Sequence, residues 1–461
     1  MNTWSGSIVN NGSASNTAAG CVAAYGTKQV VFRFRGINFT FALSQGLFSS
    51  ADIDTGSRFL LKILSQQWDS CLRGGTDGSR CPLPQTVLDA GCGVGVLGIC
   101  AAKALAAMPG LVIRAQDRDE LARAFTEYNA GRNGVPVDLR SNDLRSGAVL
   151  SAHTEPLLAG PPEAWDLILS NIPAKTGKPV LLDFIPRSAS LLRKGGSVMV
   201  VVVAPLADLF RSRIKELAIP LLLDESSKEH TVLVYGRKET APEKTRGALG
   251  DDFLQQWPCY LRCSGDFELE GAGYHLDSFH GVAGFDNPGE AVRAAAHLIS
   301  KLGPGIFAGS TGKPVLVHEP DQGHFPVWLR RYLENAGQGD PGQMVLSGRN
   351  ILALFAAWHN LGGAAQVVPA VDIALDRDAL LAVSGKPYGA VFLFPDMVTS
   401  RITAFWEGLK ALLREPGGIA VISLPSSAAE RFDREKPRGF VRLGDHKRHG
   451  FRALGYKVDP H

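Results

Sequence analysis

The sequence predicts an α/β protein of two tandem units, each a mostly parallel sheet covered by helices on both faces. Three observations lead to that fold class. Short apolar runs alternate with helix-period segments through the first half. A polar, charged stretch breaks the chain between Gly236 and Asp252. Beyond it, landmarks of the first half return in the same order.

At 461 residues the chain exceeds one ordinary core, and its 45% hydrophobic and 20% charged content is that of a folded globular protein. A net charge of +3 gives no protein-wide field for nucleic acid, so a basic footprint must be local. The seven cysteines are scattered. Only Cys259 and Cys263 lie close together, without the paired partners of a zinc site, so no metal is expected. The cysteine usage fits a reducing compartment. The longest apolar runs, such as Ser197–Ala204, are too short to cross a bilayer. The expectation is a cytoplasmic protein with no membrane partner.

The elements follow in order. The first residues are rich in Ser, Asn and Gly, without the basic start and apolar run of a signal peptide. They read as a disordered tail over 1–22. Val30–Leu43 predicts a short hairpin. Gln85–Asp89, Leu111–Asp117, Trp165–Asn171 and Ser197–Ala204 predict strands; Val96–Met108, Glu120–Asn129 and Val180–Leu192 predict helices. These fill a first domain over 23–236. A linker over 237–252 leads to a second domain over 253–461.

In that second domain, Phe267–Gly271 echoes Phe32–Gly36, and Pro314–Val317 falls where Thr86–Asp89 fell. A helix ending at Asn360 matches the one reaching Asn129, and Leu412–Val421 matches Leu191–Val200. The shared order predicts a tandem duplication of one α/β unit.

The chemistry starts at Val87–Gly95, where a strand runs into a glycine-rich turn (Gly91-x-Gly93-x-Gly95) and then a helix. A dinucleotide fingerprint needs a third small residue three positions after its second Gly, where this chain has Val96. S-adenosylmethionine fits better. Asp89, just before the glycines, is placed to hold the ammonium of a methionine moiety, and Asp117, ending the next strand, to accept both ribose hydroxyls. Glycines let the backbone approach the ligand unobstructed. Asp143, read as closing the following short strand, is the candidate acceptor for the adenine amino group, with a turn or cap residue as the other reading.

The fourth strand ends Ser170-Asn-Ile-Pro-Ala-Lys175, at the carboxyl edge where chemistry collects in open α/β sheets. Three segments, Leu43–Leu61, Asp89–Gly95 and Asp166–Pro173, make residues 30–236 resemble the ribosomal RNA guanine-N2 methyltransferases built on the "methyltransferase small" domain. The resemblance implies α/β architecture with two tandem Rossmann-like methyltransferase domains, the second degenerate. It also implies a loop around Phe48–Ser57 closing over the cofactor, and catalysis at Asn171 and Pro173. The lone pair of an exocyclic amine is delocalised into its ring. Accepting the amine hydrogens on the Asn171 side-chain oxygen and a neighbouring carbonyl localises that pair, so in-line positioning then suffices.

The family pattern is Asn-Pro-Pro followed by Phe or Tyr, whose ring stacks on the base. Here Ile172 and Ala174 replace the first proline and the aromatic, removing stacking worth about 1–3 kcal/mol. Phe48 and Lys175 are the candidate substrate contacts.

In the second half, Glu319-Pro320-Asp321 replaces the open glycines, the position matching Asp117 falls near Gly348, and Phe392–Asp396 replaces the Asn-x-Pro strand end. These losses predict that this unit binds no S-adenosylmethionine. The stretch Arg434–Arg452, basic with interleaved aromatics, reads either as an RNA contact or as solvated surface charge. The expected activity is methyl transfer to an exocyclic amino nitrogen of RNA, ribosomal guanine first. Protein glutamine or small-molecule N-methylation, and a non-catalytic RNA-binding or assembly factor that keeps the cofactor pocket, are the alternatives.

Overall fold

The computed structural model describes residues 15–48, 50–73, 83–138, 149–160, 164–237, 253–284, 286–310, 312–338, 342–395 and 401–459. The chain divides into two compact units, one spanning Gly12–Arg246 and the other Gly247–His461. The stretch 238–252, read as linker, lies outside the described residues.

The first unit opens with helix α1 (Ser15–Tyr25). This corrects the tail expectation for residues 15–22. The Ala-rich sequence supplies good helix formers, and the helix is anchored by the buried side chains of Cys21 and Tyr25. Strands β1 (Lys28–Phe34) and β2 (Ile37–Leu43) form the expected hairpin, with Phe32, Phe34, Phe39 and Phe41 turned to the interior by the two-residue period. Helix α2 (Thr55–Arg73) follows.

The sheet comprises β3 (Thr86–Ala90), β4 (Val112–Asp117), β5 (Val137–Asp138), β6 (Leu150–Thr154), β7 (Trp165–Asn171), β8 (Leu192–Val203), β9 (Leu221–Ser226) and β10 (His230–Tyr235). Its order is β5-β6-β4-β3-β7-β8-β10-β9. All neighbours run parallel except β10, which pairs antiparallel with β8 and β9. Helices α3 (Val96–Ala104), α4 (Glu120–Arg132), α5 (Lys178–Leu191) and α6 (Ala207–Glu216) connect the strands. Strand β3 is buried along its whole length, as a central parallel strand must be.

The second unit has α7 (Phe253–Gln256), the hairpin β11 (Leu261–Leu269) and β12 (Ala272–Phe279), and α8 (Glu290–Leu302). Its sheet contains β13 (Val315–His318), β14 (Met344–Gly348), β15 (Ala365–Pro369), β16 (Ala390–Leu393), β17 (Ile419–Pro425), β18 (Phe440–Arg448) and β19 (Phe451–Val458). Helices α9 (His324–Asn335), α10 (Ile351–Asn360), α11 (Arg377–Ser384), α12 (Ile402–Leu412) and α13 (Ser426–Arg434) complete it. The order β15-β14-β13-β16-β17-β19-β18 repeats that of the first sheet strand for strand, lacking only the two-residue β5 at the edge. Strand β19 is antiparallel to both β17 and β18, as β10 is to its neighbours. The duplication seen in sequence is therefore one topology used twice.

Two asparagines show how deep the repeat runs. Asn129, fully buried near the end of α4, accepts from Ala42 N at 2.8 Å and donates to the carbonyls of Ala42 and Val94. Asn360, ending α10, accepts from Asp277 N at 2.8 Å and donates to the carbonyls of Asp277 and Gln322. Each pins its hairpin to the turn that follows the first sheet strand. No described helix is long and apolar enough to cross a membrane.

Candidate active site

The turn between β3 and α3 is held from below by the Gln116 carbonyl, which accepts from Gly91 N at 2.8 Å and Cys92 N at 2.9 Å. Gly91, Gly93 and Gly95 all take positive φ, at 79°, 56° and 85°, where glycine is favoured. They serve different ends. A Cβ on Gly93 would meet nothing within 4 Å, and one on Gly91 only Leu157 Cδ1 at 3.9 Å. A Cβ on Gly95 would press on Ile99 and Thr126, both at 2.9 Å. Gly91 and Gly93 therefore present bare backbone to open space, while Gly95 lets α3 and α4 pack.

Two carboxylates flank this turn. Asp117 accepts from Gly93 N at 3.0 Å and Asp119 N at 3.1 Å. Burial, and then the charge of Asp119, push its carboxyl up to about 6. Asp89 is fully buried; Oδ2 accepts from Gly98 N at 2.7 Å in the first turns of α3, and Oδ1 has no hydrogen-bond partner. Burial pushes this carboxyl up to about 7. Gly98 is needed there, since a Cβ would lie 3.0 Å from Asp89 Oδ2. A buried carboxylate oxygen without a partner calls for a donor. The ammonium of the cofactor's methionine moiety is one, so the residues present fit S-adenosylmethionine.

Strand β7 brings Asn171 to the same edge of the sheet, since Leu169 pairs with Asp89 and Ser170 Oγ donates to the Ala90 carbonyl at 2.7 Å. Asn171 Nδ2 donates to Asp54 Oδ2 and, at 3.0 Å, to Ser57 Oγ. Asp54 precedes α2, and the same Oδ2 accepts from Ser57 N at 2.8 Å, capping that helix. The Phe48–Ser57 segment is thus tied at its end to the strand end 114–117 residues away. Beyond Asn171, Ile172 is buried in the core beside α5, while Pro173, Ala174 and Lys175 are exposed. The Pro173 carbonyl already accepts from Thr176, through its hydroxyl at 2.6 Å and its N–H at 3.2 Å. Phe48 is 63% exposed.

Asp89, Gly91, Gly93, Gly95 and Asp117 are thus gathered round one turn, with Asn171 at the next strand end. Asp143 lies outside the described residues. The strand whose end comes level with Asp117 is β6, pairing Asp117 with Thr154. Sequence reasoning passed over Asp54, Ser57 and Gly98. Only Asp54 and Ser57 had a signal, lying in the segment that carries the family resemblance.

The second unit keeps the backbone of the turn and changes its chemistry. Glu319, Asp321 and Gly323 take φ of 58°, 48° and 92°, matching the three glycines position by position. Glu319 N donates to Ser347 O and Gly323 N to Pro320 O, as Gly91 and Gly95 do to Gln116 and Cys92. Only Gly323 is still glycine, and a Cβ there would lie 2.8 Å from Ala357 Cα. The position where packing demands glycine is glycine in both units; the two that face open space are glycine only in the first. In the basic stretch, Arg442 pairs with Asp433 and Asp445, Arg452 with Asp445, and Arg448 with Glu290. These ion pairs engage three of the seven Lys and Arg residues in the stretch. Among the described residues no group of His, Cys, Asp and Glu is placed to hold a metal ion.

A family model described as the methyltransferase small domain matches residues 38–209. YbxB of Bacillus subtilis is 31% identical over 172 residues, covering 37% of this chain and 72% of that protein. The chain belongs to the methyltransferase small domain family. It is an S-adenosylmethionine-dependent methyltransferase. A second relative, the ribosomal protein L11 methyltransferase of Symbiobacterium thermophilum, is 37% identical over 121 residues, 26% of this chain and 31% of that one. Among solved structures, the T. thermophilus 16S rRNA N2 G1207 methyltransferase, in complex with AdoMet and guanosine, superposes with a TM-score of 0.57 at 17% identity. That match covers 94% of this chain and 99% of the other. The two-unit α/β architecture of this methyltransferase is thus a known fold.

Proposed function

We propose that the first unit methylates an exocyclic amino nitrogen of RNA, with N2 of a ribosomal guanine as the acceptor. One observation carries the reading: both hydrogens of the Asn171 amide are directed at Asp54 and Ser57, leaving its oxygen as the open acceptor at the strand end. Bound S-adenosylmethionine supplies an electrophilic methyl group on its sulfonium. Asp89 would hold the ammonium and Asp117 the ribose hydroxyls, with the bare backbone at Gly91, Gly93 and Gly95 leaving room for the ligand.

An exocyclic amine offers two hydrogens and a lone pair spread into its ring. Asn171 Oδ1 and the Ile172 carbonyl take the hydrogens, since the Pro173 carbonyl is engaged by Thr176. Pro173 contributes by carrying no N–H that would face the amine. With the hydrogens fixed, the lone pair is freed from the ring; a methyl taken up there would leave its sulfonium as a neutral thioether, and the surplus N–H proton would pass to water. Lys175 lies exposed beside this point for a phosphate, and Phe48 offers an exposed ring in place of the missing stacking residue. The rRNA substrate named for the T. thermophilus structure supports the same reading.

A second reading rests on Ala174, an exposed methyl where family members carry an aromatic ring. A glutamine side-chain amide in a protein presents the same hydrogens and needs no stacking partner, and the L11 methyltransferase relative is named for a protein substrate. Tritium-labelled cofactor incubated with unmodified 16S rRNA and with ribosomal proteins separates the two. Label in RNA, lost in Asn171→Ala with cofactor affinity retained, is the expected result; label in protein alone overturns the RNA reading.

A further inference from the structure

We propose that Asp54 and Ser57 form a clamp that fixes the rotamer of Asn171, making them positioning residues for methyl transfer. The inference rests on Asn171 being the catalytic acceptor. An asparagine amide can be turned over about its last torsion with little change in shape, exchanging its oxygen for its NH2 group. In the turned-over state the amide would aim two donors at an amine that needs an acceptor.

The structure removes that ambiguity chemically. An ionised carboxylate only accepts hydrogen bonds, so the group facing Asp54 must be the NH2. Asp54 Oδ2 takes one hydrogen and Ser57 Oγ, at 3.0 Å, takes the other. The amide oxygen is left pointing elsewhere. The clamp also polarises the amide, because a negative charge at its NH2 raises electron density on its oxygen.

The clamp is itself held in place. Asp54 Oδ2 accepts from Ser57 N at 2.8 Å, and Arg58 N donates to the Asp54 carbonyl at 3.0 Å. The carboxylate is therefore fixed by the start of α2 before any ligand arrives. Gly56 fits between the two clamp residues because a Cβ there would lie 3.0 Å from the His230 ring and 3.1 Å from Asp54 Oδ2. The Asp-x-Gly-Ser spacing has a reason in each position: acceptor, no side chain, second acceptor.

The test separates capping from clamping in the full-length chain. Asp54→Ser keeps a good N-cap but is too short to reach Asn171; Asp54→Asn keeps an acceptor and the cap; Ser57→Ala removes one acceptor and leaves the cap. With 16S rRNA transcript as acceptor, Asp54→Ser is expected to lower kcat by about tenfold or more, with cofactor Kd unchanged and partial rescue in Asp54→Asn. The double variant Asp54→Ser/Asn171→Ala should be no slower than Asn171→Ala, since one acts through the other. Wild-type turnover in Asp54→Ser, with Asn171→Ala inactive, overturns the clamp and leaves the catalytic reading standing. Wild-type turnover in Asn171→Ala overturns the catalytic reading instead. An acceptor-independent measurement is the nitrogen-15 NMR signal of the Asn171 side-chain amide. Protection from exchange in the wild type that disappears in Asp54→Ser supports the clamp, and a freely exchanging amide in the wild type refutes it.

Discussion

The carboxylate of Glu319 accepts a hydrogen bond from the Arg349 backbone N–H at 2.9 Å. Its other oxygen lies 3.0 Å from where a Cβ on Gly348 would stand. Gly348 ends β14 as Asp117 ends β4. In the first unit the acid comes from the strand end and the turn stays bare; in the second it comes from the turn and the strand end is bare. In the second unit the Glu319 carboxylate occupies the corner beside the bare strand end.

Cofactor stoichiometry follows from this exchange. Calorimetry on the full chain is expected to give one S-adenosylmethionine per molecule, and Asp117→Ala should abolish it. A second site surviving in Asp117→Ala would refute the assignment of the second unit as non-binding.

The glycines separate binding from packing. Gly93→Ala puts a methyl into open space at φ of 56°, costing about 1 kcal/mol of stability while blocking the ligand. Gly323→Ala drives a methyl to 2.8 Å from Ala357 Cα, at a cost of about 2–4 kcal/mol and with no change in cofactor affinity. Denaturant unfolding alongside calorimetry reads both, and equal stability losses would contradict the division of labour.

Cofactor affinity should depend on pH. Asp89 and Asp117 have carboxyls raised to about 7 and about 6 by burial, with Asp119 adding to the shift at Asp117 and Arg118 opposing it. The ligand's ammonium and hydroxyls are bound by the ionised forms, so affinity should rise by about tenfold or more from pH 5.5 to 7.5. For the ligand-free protein the sign is opposite. Both groups hold protons in the fold that they lose at the ordinary carboxyl value of 3.8 when unfolded, so their contribution to stability falls as pH rises from about 4 to 7. A flat affinity profile over that range would falsify the carboxylate roles.

The paired asparagines should matter for stability in proportion to their burial. Asn129→Ala strips three backbone groups of their partner in a fully buried site and should cost about 2–4 kcal/mol. Asn360→Ala, at a partly buried position, should cost about 1–3 kcal/mol. Values near zero in either unit would show that the hairpins dock without them.

What was legible in the sequence was whatever repeats locally. Strands β3, β4 and β7 and the first hairpin show their period within a few residues, and the glycine turn lies next to the strand it ends. Other features depended on distance or on weak patterns. β6 reads Leu-Ser-Ala-His-Thr, with too few apolar residues to announce a strand. Strands β9 and β10 pair antiparallel beyond β8, which alternating strands and helices did not foretell. Helix α1 was obscured by the polar residues leading into it. The bond between Asp54 and Asn171 joins positions 117 apart and is specified by the folded sheet. Nothing in the neighbourhood of either residue specifies it.

The torsion angles of Glu319 and Asp321 show what the two units share. A non-glycine residue held at positive φ costs about 1–2 kcal/mol, and this turn carries two such residues where the first unit has glycine. The path of the main chain is therefore dictated by the strand and helix it joins, and the side chains set on it decide how much room the bend leaves.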